Sequence, residues 1–362
     1  MKIACFISSH GYGHATRCLA VLDALSQKFQ PLEISIFSSF PKSFLEQNLN
    51  SSNFTYHNTK TDIGLIQKTP FEHDLAQTVL EWEQFLNFKS SENQKITECV
   101  KEINPDFILC DISPLGIKLG KQLKIPTVLI ENFTWDWIFQ TYASEEPKFL
   151  PIIEKLNEIF RYPELRIQTD PICERVSGHP LVNPIFRMPR GSISETKRKM
   201  GLNENKQAIL ITTGGIAQDF QFIQKLEQFP HYNFIVSGDQ PEENSYQNIF
   251  FLPHNSPIYF PDIVNICSVI VGKAGYGTVA EAWGNKKAFI RVFRHEFRES
   301  PYLKTFLDSN VPGEEIDLNN FLSGEWLDNL KNQSFQNSDS TDTRKDLNGA
   351  NQVVELISDW IN

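Results

Sequence analysis

Residues 3–7, IACFI, run into HGYGHATR at His10–Arg17, and residues 269–271, VIV, run into GKAGYGTVAEA at Gly272–Ala282. Each stretch is a short apolar strand that breaks at a glycine-rich turn and continues as a helix. Glycines at such a turn let the backbone approach a ligand closely, and the N–H groups opening the following helix favour an anion there. Two copies in one chain point to two nucleotide-fold domains with a phosphorylated ligand held between them.

Working outward from the first copy, Ala15, Leu19, Leu22, Leu25 and Phe29 recur at helical spacing, and Glu33–Ser38 then alternates as a strand. Further on, Phe107–Cys110 reads as a strand after Asn104-Pro105, Pro114–Leu123 as a helix and Thr127–Ile130 as the next strand. Alternation of this kind predicts an α/β fold whose parallel sheet is covered by helices on both faces. From Thr169 to Gly191, Pro171, Pro180, Pro184 and Pro189 punctuate a stretch with little periodicity, so an extended connection is expected there. This places an N-terminal domain over residues 1–180 and a C-terminal one over 190–345. The second alternation starts at Ala208–Thr213, turns at Gly214 and Gly215, and continues through Asn233–Val236 to the strand ending at Val271. Residues Asn332–Asn348 are rich in Ser, Asp, Asn and Thr and predict a mobile loop. After them, Val353, Val354, Ile357 and Trp360 restore helical spacing, so a packed terminal helix is expected over 350–362.

The chain has 362 residues, enough for two domains that each bury a core, and a formal net charge of −10. That balance argues against general nucleic-acid binding, which needs clustered Lys and Arg, and leaves a local basic patch open. The six cysteines (Cys5, Cys18, Cys99, Cys110, Cys173, Cys267) form no C-x-x-C pair and read as small core residues. No spacing of His and carboxylates suggests a metal, so neither metal nor cofactor is expected. The first apolar run is too short and too early for a signal peptide or membrane span, which makes a cytoplasmic location the expectation; peripheral contact with a membrane stays open. N-x-S/T strings begin at Asn53, Asn132 and Asn332 and would matter only on a secreted protein.

HGYGHATR, ENFTWDWIFQTY (Glu131–Tyr142), GKAGYGTVAEA and FRHEFRESPYL (Phe293–Leu303) together resemble the glycosyltransferase-like domain that precedes the sugar-kinase domain of plant L-arabinokinases. More distantly the pattern is similar to the GT-B glycosyltransferases, including the peptidoglycan N-acetylglucosaminyltransferase and UDP-dependent enzymes. The resemblance covers nearly the whole chain. It implies two Rossmann-like domains with parallel sheets facing a central cleft, an acceptor in the first, a nucleotide sugar in the second, and a last helix that crosses back to the first. The chain ends before a kinase domain could begin, so sugar phosphorylation is not expected.

Inverting glycosyl transfer needs a base for the acceptor hydroxyl, and histidine titrates near neutrality. The resemblance aligns His14, and not His10, with that base; the alternative is a turn or capping residue. It aligns Asp111, directly after the Phe107–Cys110 strand, with the carboxylate that orients the imidazole; capping the helix near Pro114 is the other reading. Gly13 lies in the same turn. On the nucleotide-sugar side it implies Gly214, Gly215, Lys273, Gly275, Tyr276, Gly277 and Thr278 around the diphosphate, with Glu281 on the ribose hydroxyls and facing His14 across one cleft. Without a ligand, these would be two tight Rossmann-like turns. Glu299 falls where related enzymes carry the first member of a pair that contacts the donor sugar, with Ser300 in place of the usual glutamine. Retaining relatives have two glutamates eight positions apart; here Lys273 takes the earlier position, which argues for inversion. Trp135 and Asp136, with Trp137, could recognise a sugar on the acceptor side or pack as a core cluster. Asp62 and Asp74 share the resemblance without an evident role. Loops between Thr55 and Glu98 are expected to select the acceptor.

The expectation is therefore an inverting transferase acting from a nucleotide sugar, with UDP the nucleotide the resemblance suggests, on an unidentified acceptor hydroxyl. Two other readings stand beside it: a nucleotide-sugar-binding regulatory module without chemistry, and a GT-B-fold epimerase.

Overall fold

The computed structural model describes residues 1–50, 53–67, 73–88, 90–213, 221–238, 246–253, 256–330 and 343–362. The chain divides into two units. One comprises Met1–Ile185, Phe297–Glu299 and Gly349–Asn362; the other comprises Phe186–Glu296 and Ser300–Asn348.

Seven strands form the sheet of the first unit: β1 (Lys2–Ile7), β2 (Glu33–Ser38), β3 (Phe54–Asn58), β4 (Phe107–Asp111), β5 (Thr127–Glu131), β6 (Leu165–Thr169) and β7 (Leu181–Val182). Their order is β3-β2-β1-β4-β5-β6-β7, and every pairing is parallel. Because side chains alternate along a strand, the run at residues 3–7 feeds two cores. Ile3, Cys5 and Ile7 pack with Leu19, Leu22 and Leu25 of the helix Tyr12–Lys28, whereas Ala4 and Phe6 face Ile117, Leu119 and Phe139. The helix Pro114–Leu123 lies close on that second face, where a Cβ on Gly116 would come within 2.6 Å of the Cys110 Sγ. The terminal helix Gly349–Ile361 adds Val353, Val354 and Ile357 to the first face. Each fully buried aliphatic side chain of this kind is worth about 1.5–3 kcal/mol relative to exposure.

Residues 55–98 include most of β3, the helix Leu75–Phe85 and the first part of the helix Ser91–Ile103. As an edge strand, β3 is only partly buried, so FTYHN lacks the alternation that would reveal it.

The second unit repeats the architecture with β8 (Gln207–Thr212), β9 (Tyr232–Ser237), β10 (Ile249–Leu252), β11 (Cys267–Lys273) and β12 (Ala288–Val292), in the parallel order β10-β9-β8-β11-β12. Leu210, Ile235 and Ile270 face one core and Ile209, Ile211 and Val271 the other. Gly272 sits at φ 151° where a Cβ would come within 1.7 Å of the Thr212 carbonyl, so only glycine lets β11 run this close to β8. Gly214 and Gly215 lie outside the described residues, as do 332–342 of the polar stretch expected to form a loop. The rest of that stretch is structured: Lys345–Leu347 makes a 3₁₀ turn, and buried Asn348 donates to the Phe186 carbonyl at 2.8 Å. Among the described residues the cysteines are free thiols, and no helix is long and apolar enough to cross a membrane.

Candidate active site

In the first sheet the strand order reverses between β1, which continues to β2, and β4, which continues to β5, and ligands of open α/β sheets bind beyond the strand ends at such a reversal. Ile7 and Asp111 close the β1–β4 ladder side by side. The chain then turns through Gly11, at φ 125°, into the helix Tyr12–Lys28, which puts His14 in its first turn and Arg17 one turn later on the same side.

Neither His14 nor Asp111 is the N-cap of a helix. Gly11 is the N-cap of the His14 helix and Ser113 is the N-cap of the following one, its Oγ accepting from the Gly116 N–H at 3.3 Å. His14 Nδ1 lies 2.9 Å from Asp111 Oδ1. Arg17 donates through Nε to Oδ2 and through Nη2 to Oδ1, both at 2.7 Å, and through Nη1 to Asn132 Oδ1 at 2.7 Å. Asn132 in turn donates to Glu299 Oε1 at 2.8 Å. Asp111 and Asn132 have no exposure, Arg17 1% and His14 8%, so the imidazole is the member of the network nearest solvent.

Burial alone would raise the Asp111 carboxyl, but the Arg17 guanidinium and the His14 hydrogen bond hold it below the ordinary carboxylate range. An ionised carboxylate at Nδ1 selects the tautomer that carries the proton there, which leaves Nε2 as the basic nitrogen. Arg17 Nη2 also lies 3.2 Å from Nδ1; one ring nitrogen serves one partner, and the charge-assisted bond to the carboxylate is the stronger.

Other members of the sequence set fall in distinct places. Gly13 is in the first turn, where its carbonyl accepts from Thr16 Oγ1 at 3.1 Å. Trp135 is fully buried, Trp137 is 2% exposed and Asp136 6%, so these rings pack in the core and present no open face for stacking on a sugar. The Trp135 indole donates to Asp62 Oδ2 at 2.8 Å, and burial pushes the Asp62 carboxyl up. Asp74 caps the helix Leu75–Phe85, accepting from the Gln77 N–H at 3.0 Å. Both acids therefore have structural work. His10 accepts from the Leu65 N–H at 3.2 Å and sets its ring edge-on to Trp135.

In the second unit, Lys273 ends β11 and is buried, while Gly275 is the N-cap of the helix Tyr276–Gly284. Gly275, Gly277 and Thr278 are partly exposed, and a Cβ on Gly275 would meet nothing within 4 Å. The opening N–H groups of a helix have no intrahelical acceptor and carry its positive dipole end, which suits this turn to a diphosphate. Tyr276 is buried. Glu281 is 4% exposed and its Oε1 accepts from Arg187 Nε at 2.9 Å and from Nη2 as well. Burial outweighs that guanidinium and raises the Glu281 carboxyl. Glu299, the residue expected beside a donor sugar, belongs to the first unit and accepts from Asn132 at the end of the hydrogen-bonded chain from His14.

Arg17, Asn132 and Arg187 escaped the sequence reading. Arg17 had a signal, since it lies three residues after His14 on a helix and so shares its face. Asn132 and Arg187 had none, because their partners are distant in sequence.

No protein-family model matches the chain. It is 23% identical over 335 residues to L-arabinokinase of Arabidopsis thaliana, covering 91% of this chain and 32% of that protein. It is 26% identical over 190 residues to an uncharacterized glycosyltransferase of Methanosarcina acetivorans, covering 52% of this chain and 46% of that one. The chain thus matches less than half the length of these relatives. Among solved structures, the spinosyn forosaminyltransferase SpnP superposes with a TM-score of 0.65 at 13% identity over 100% of this chain and 99% of its own. Phytolacca americana UGT2, complexed with UDP-2-fluoro-glucose and pterostilbene, does so at 0.60 and 11% identity over 100% of both chains. Two parallel α/β units with these superpositions over their full length give the chain the GT-B fold of glycosyltransferases.

Proposed function

We propose that the chain is an inverting glycosyltransferase that takes a sugar from a nucleotide-sugar donor, UDP-linked, and places it on an acceptor hydroxyl. The observation that carries this reading is the 2.9 Å contact between His14 and Asp111 at the strand reversal of the first sheet. Its support from outside the chain is the fold it shares with glycosyltransferases, one of them complexed with a UDP sugar analogue.

In this mechanism His14 Nε2 takes the acceptor hydroxyl proton as the oxygen attacks the anomeric carbon. The new carbon–oxygen bond forms on the face opposite the leaving group, the bond to the diphosphate oxygen breaks, and the nucleoside diphosphate departs with that electron pair. Asp111 stabilises the imidazolium that results, as the carboxylate of a hydrolase triad does. The charge developing on the diphosphate is met by the helix-opening N–H groups at Gly275–Thr278, which act without a metal. Lys273 adds a positive charge at the end of β11.

Purified protein incubated with UDP sugars, with and without an acceptor panel, tests this. Release of UDP coupled to a glycosylated product with inverted anomeric configuration is the expected result. Tight UDP-sugar binding without any turnover would make the chain a binding module, and conversion of one UDP sugar to another without acceptor would make it an epimerase.

A further inference from the structure

The first unit has a polar cavity of about 470 Å³ whose lining includes Arg161, Arg166, Arg175, His179, Asp136 and Asn157. That volume is in the range of small-molecule sites. It lies on the other face of the sheet from the His14–Asp111 pair. Asp111 has the parity of Phe107 and Leu109, which pack in the same core cluster as Ile167, whereas Arg166 alternates with Ile167 and points the opposite way. The helix Phe149–Phe160, which supplies Asn157, covers that opposite face through Phe149, Ile152 and Leu156.

The cationic groups here are not equivalent. Arg166 is neutralised by Glu131, with Nε 3.0 Å from Oε1. Arg175 is fixed instead by neutral oxygens: the Gln168 side chain and the carbonyls of Val176 and His179. It is held in one orientation while its charge stays available, an arrangement that binds an anion with little loss of side-chain freedom. Arg161 is exposed, lines the cavity and adds a second positive charge. Facing them, Asp136 accepts from Asn157 Nδ2 at 3.1 Å through Oδ2, while its buried Oδ1 has no hydrogen-bond partner among the described residues. An acceptor sealed in this way is costly, and it leaves Oδ2 and the Asn157 amide as the polar groups of this wall. Glu174 also lines the cavity, which disfavours a ligand that is anionic throughout. Burial, with Arg166 and Arg175 beside it, lowers the His179 imidazole, leaving a neutral ring that both donates and accepts.

We propose that this cavity binds a small polyhydroxylated anion of the sugar-phosphate class, its anionic group on Arg161 and Arg175 and its hydroxyls toward Asp136 and Asn157. The site is independent of the transfer reaction and of the nucleotide.

Titration calorimetry of the full chain, saturated with UDP, tests it with glucose 6-phosphate as probe and with glucose and inorganic phosphate as controls. Saturable binding of glucose 6-phosphate, tighter than either control, is expected. Arg161→Glu and Arg161→Gln alter an exposed side chain and leave the melting temperature in place; they should weaken that binding by about tenfold or more, because a charge-assisted hydrogen bond is lost, while UDP affinity is unchanged. Absence of binding at millimolar probe, equal affinity for inorganic phosphate, or full affinity in both variants would each overturn the assignment. Failure of glycosyl transfer with binding retained would count only against the transferase reading.

Discussion

Arg17 and Asp111, 94 residues apart in sequence, form a bidentate pair at 2.7 Å with neither side chain exposed. The candidate base therefore faces a carboxylate whose charge is already balanced. The carboxylate's position is held by two charge-assisted bonds.

Removing one partner of such a pair leaves a buried charge uncompensated, which costs about 3–5 kcal/mol. Arg17→Met should lower stability by that order in urea unfolding, far more than replacement of an exposed arginine such as Arg198 does. Arg17→Met together with Asp111→Leu should recover much of the loss while abolishing transfer, which separates the structural from the chemical role of the cluster.

The pH dependence follows from the depressed Asp111 carboxyl. A group whose folded value lies below its unfolded one contributes stability above the unfolded value, here about 4 for an aspartate, and loses it as pH falls through the folded value. Wild-type protein should lose stability steeply on acidification below about pH 4. Asp111→Asn should be less stable at neutral pH with a shallower acid limb, and an unchanged limb in chemical denaturation would show that another carboxylate dominates.

Asn132 donates to Glu299 Oε1, a bond that a glutamine at 299 can still accept. If Glu299 positions Asn132 and Arg17, Glu299→Gln should keep near-normal kcat and donor KM, and Glu299→Ala should lower kcat. A raised donor KM in Glu299→Gln would instead place the carboxylate on the donor sugar.

Thr278→Glu puts an acid into the first turn of the helix Tyr276–Gly284. There it complements the helix dipole, worth about 0.3–1 kcal/mol, so the melting temperature should hold or rise. The UDP-induced rise in melting temperature should disappear, because the carboxylate competes with the diphosphate. Retention of that rise would place the nucleotide elsewhere.

Gly64 has φ 68°, and a Cβ there would lie 2.3 Å from His10 Nδ1. Gly178 shares the positive φ, at 85°, but has open space around it. Gly178→Ala should cost only the left-handed strain, about 1–2 kcal/mol, and Gly64→Ala should exceed it by the displacement of His10. Thermal unfolding of the two variants reads the difference.

The repeated passage from apolar strand through glycine turn to helix was legible because it depends on residues within a dozen positions: strand runs, helical spacing, and glycines where the backbone turns. From these the parallel α/β class follows. The polar partnerships did not follow, because they join segments brought together only by the sheet. Whether Asp111 capped a helix or held an imidazole depended on Ser113 taking the cap and on the β1–β4 register putting Asp111 beside the turn that carries His14. Folding likewise placed Trp135 in the core, paired Glu281 with Arg187 across 94 residues, and joined Glu299 to the His14 network. Local pattern reports backbone conformation and which face is apolar; a buried charge is matched by whichever group the packed structure brings within hydrogen-bonding reach, and that choice is made over the whole chain.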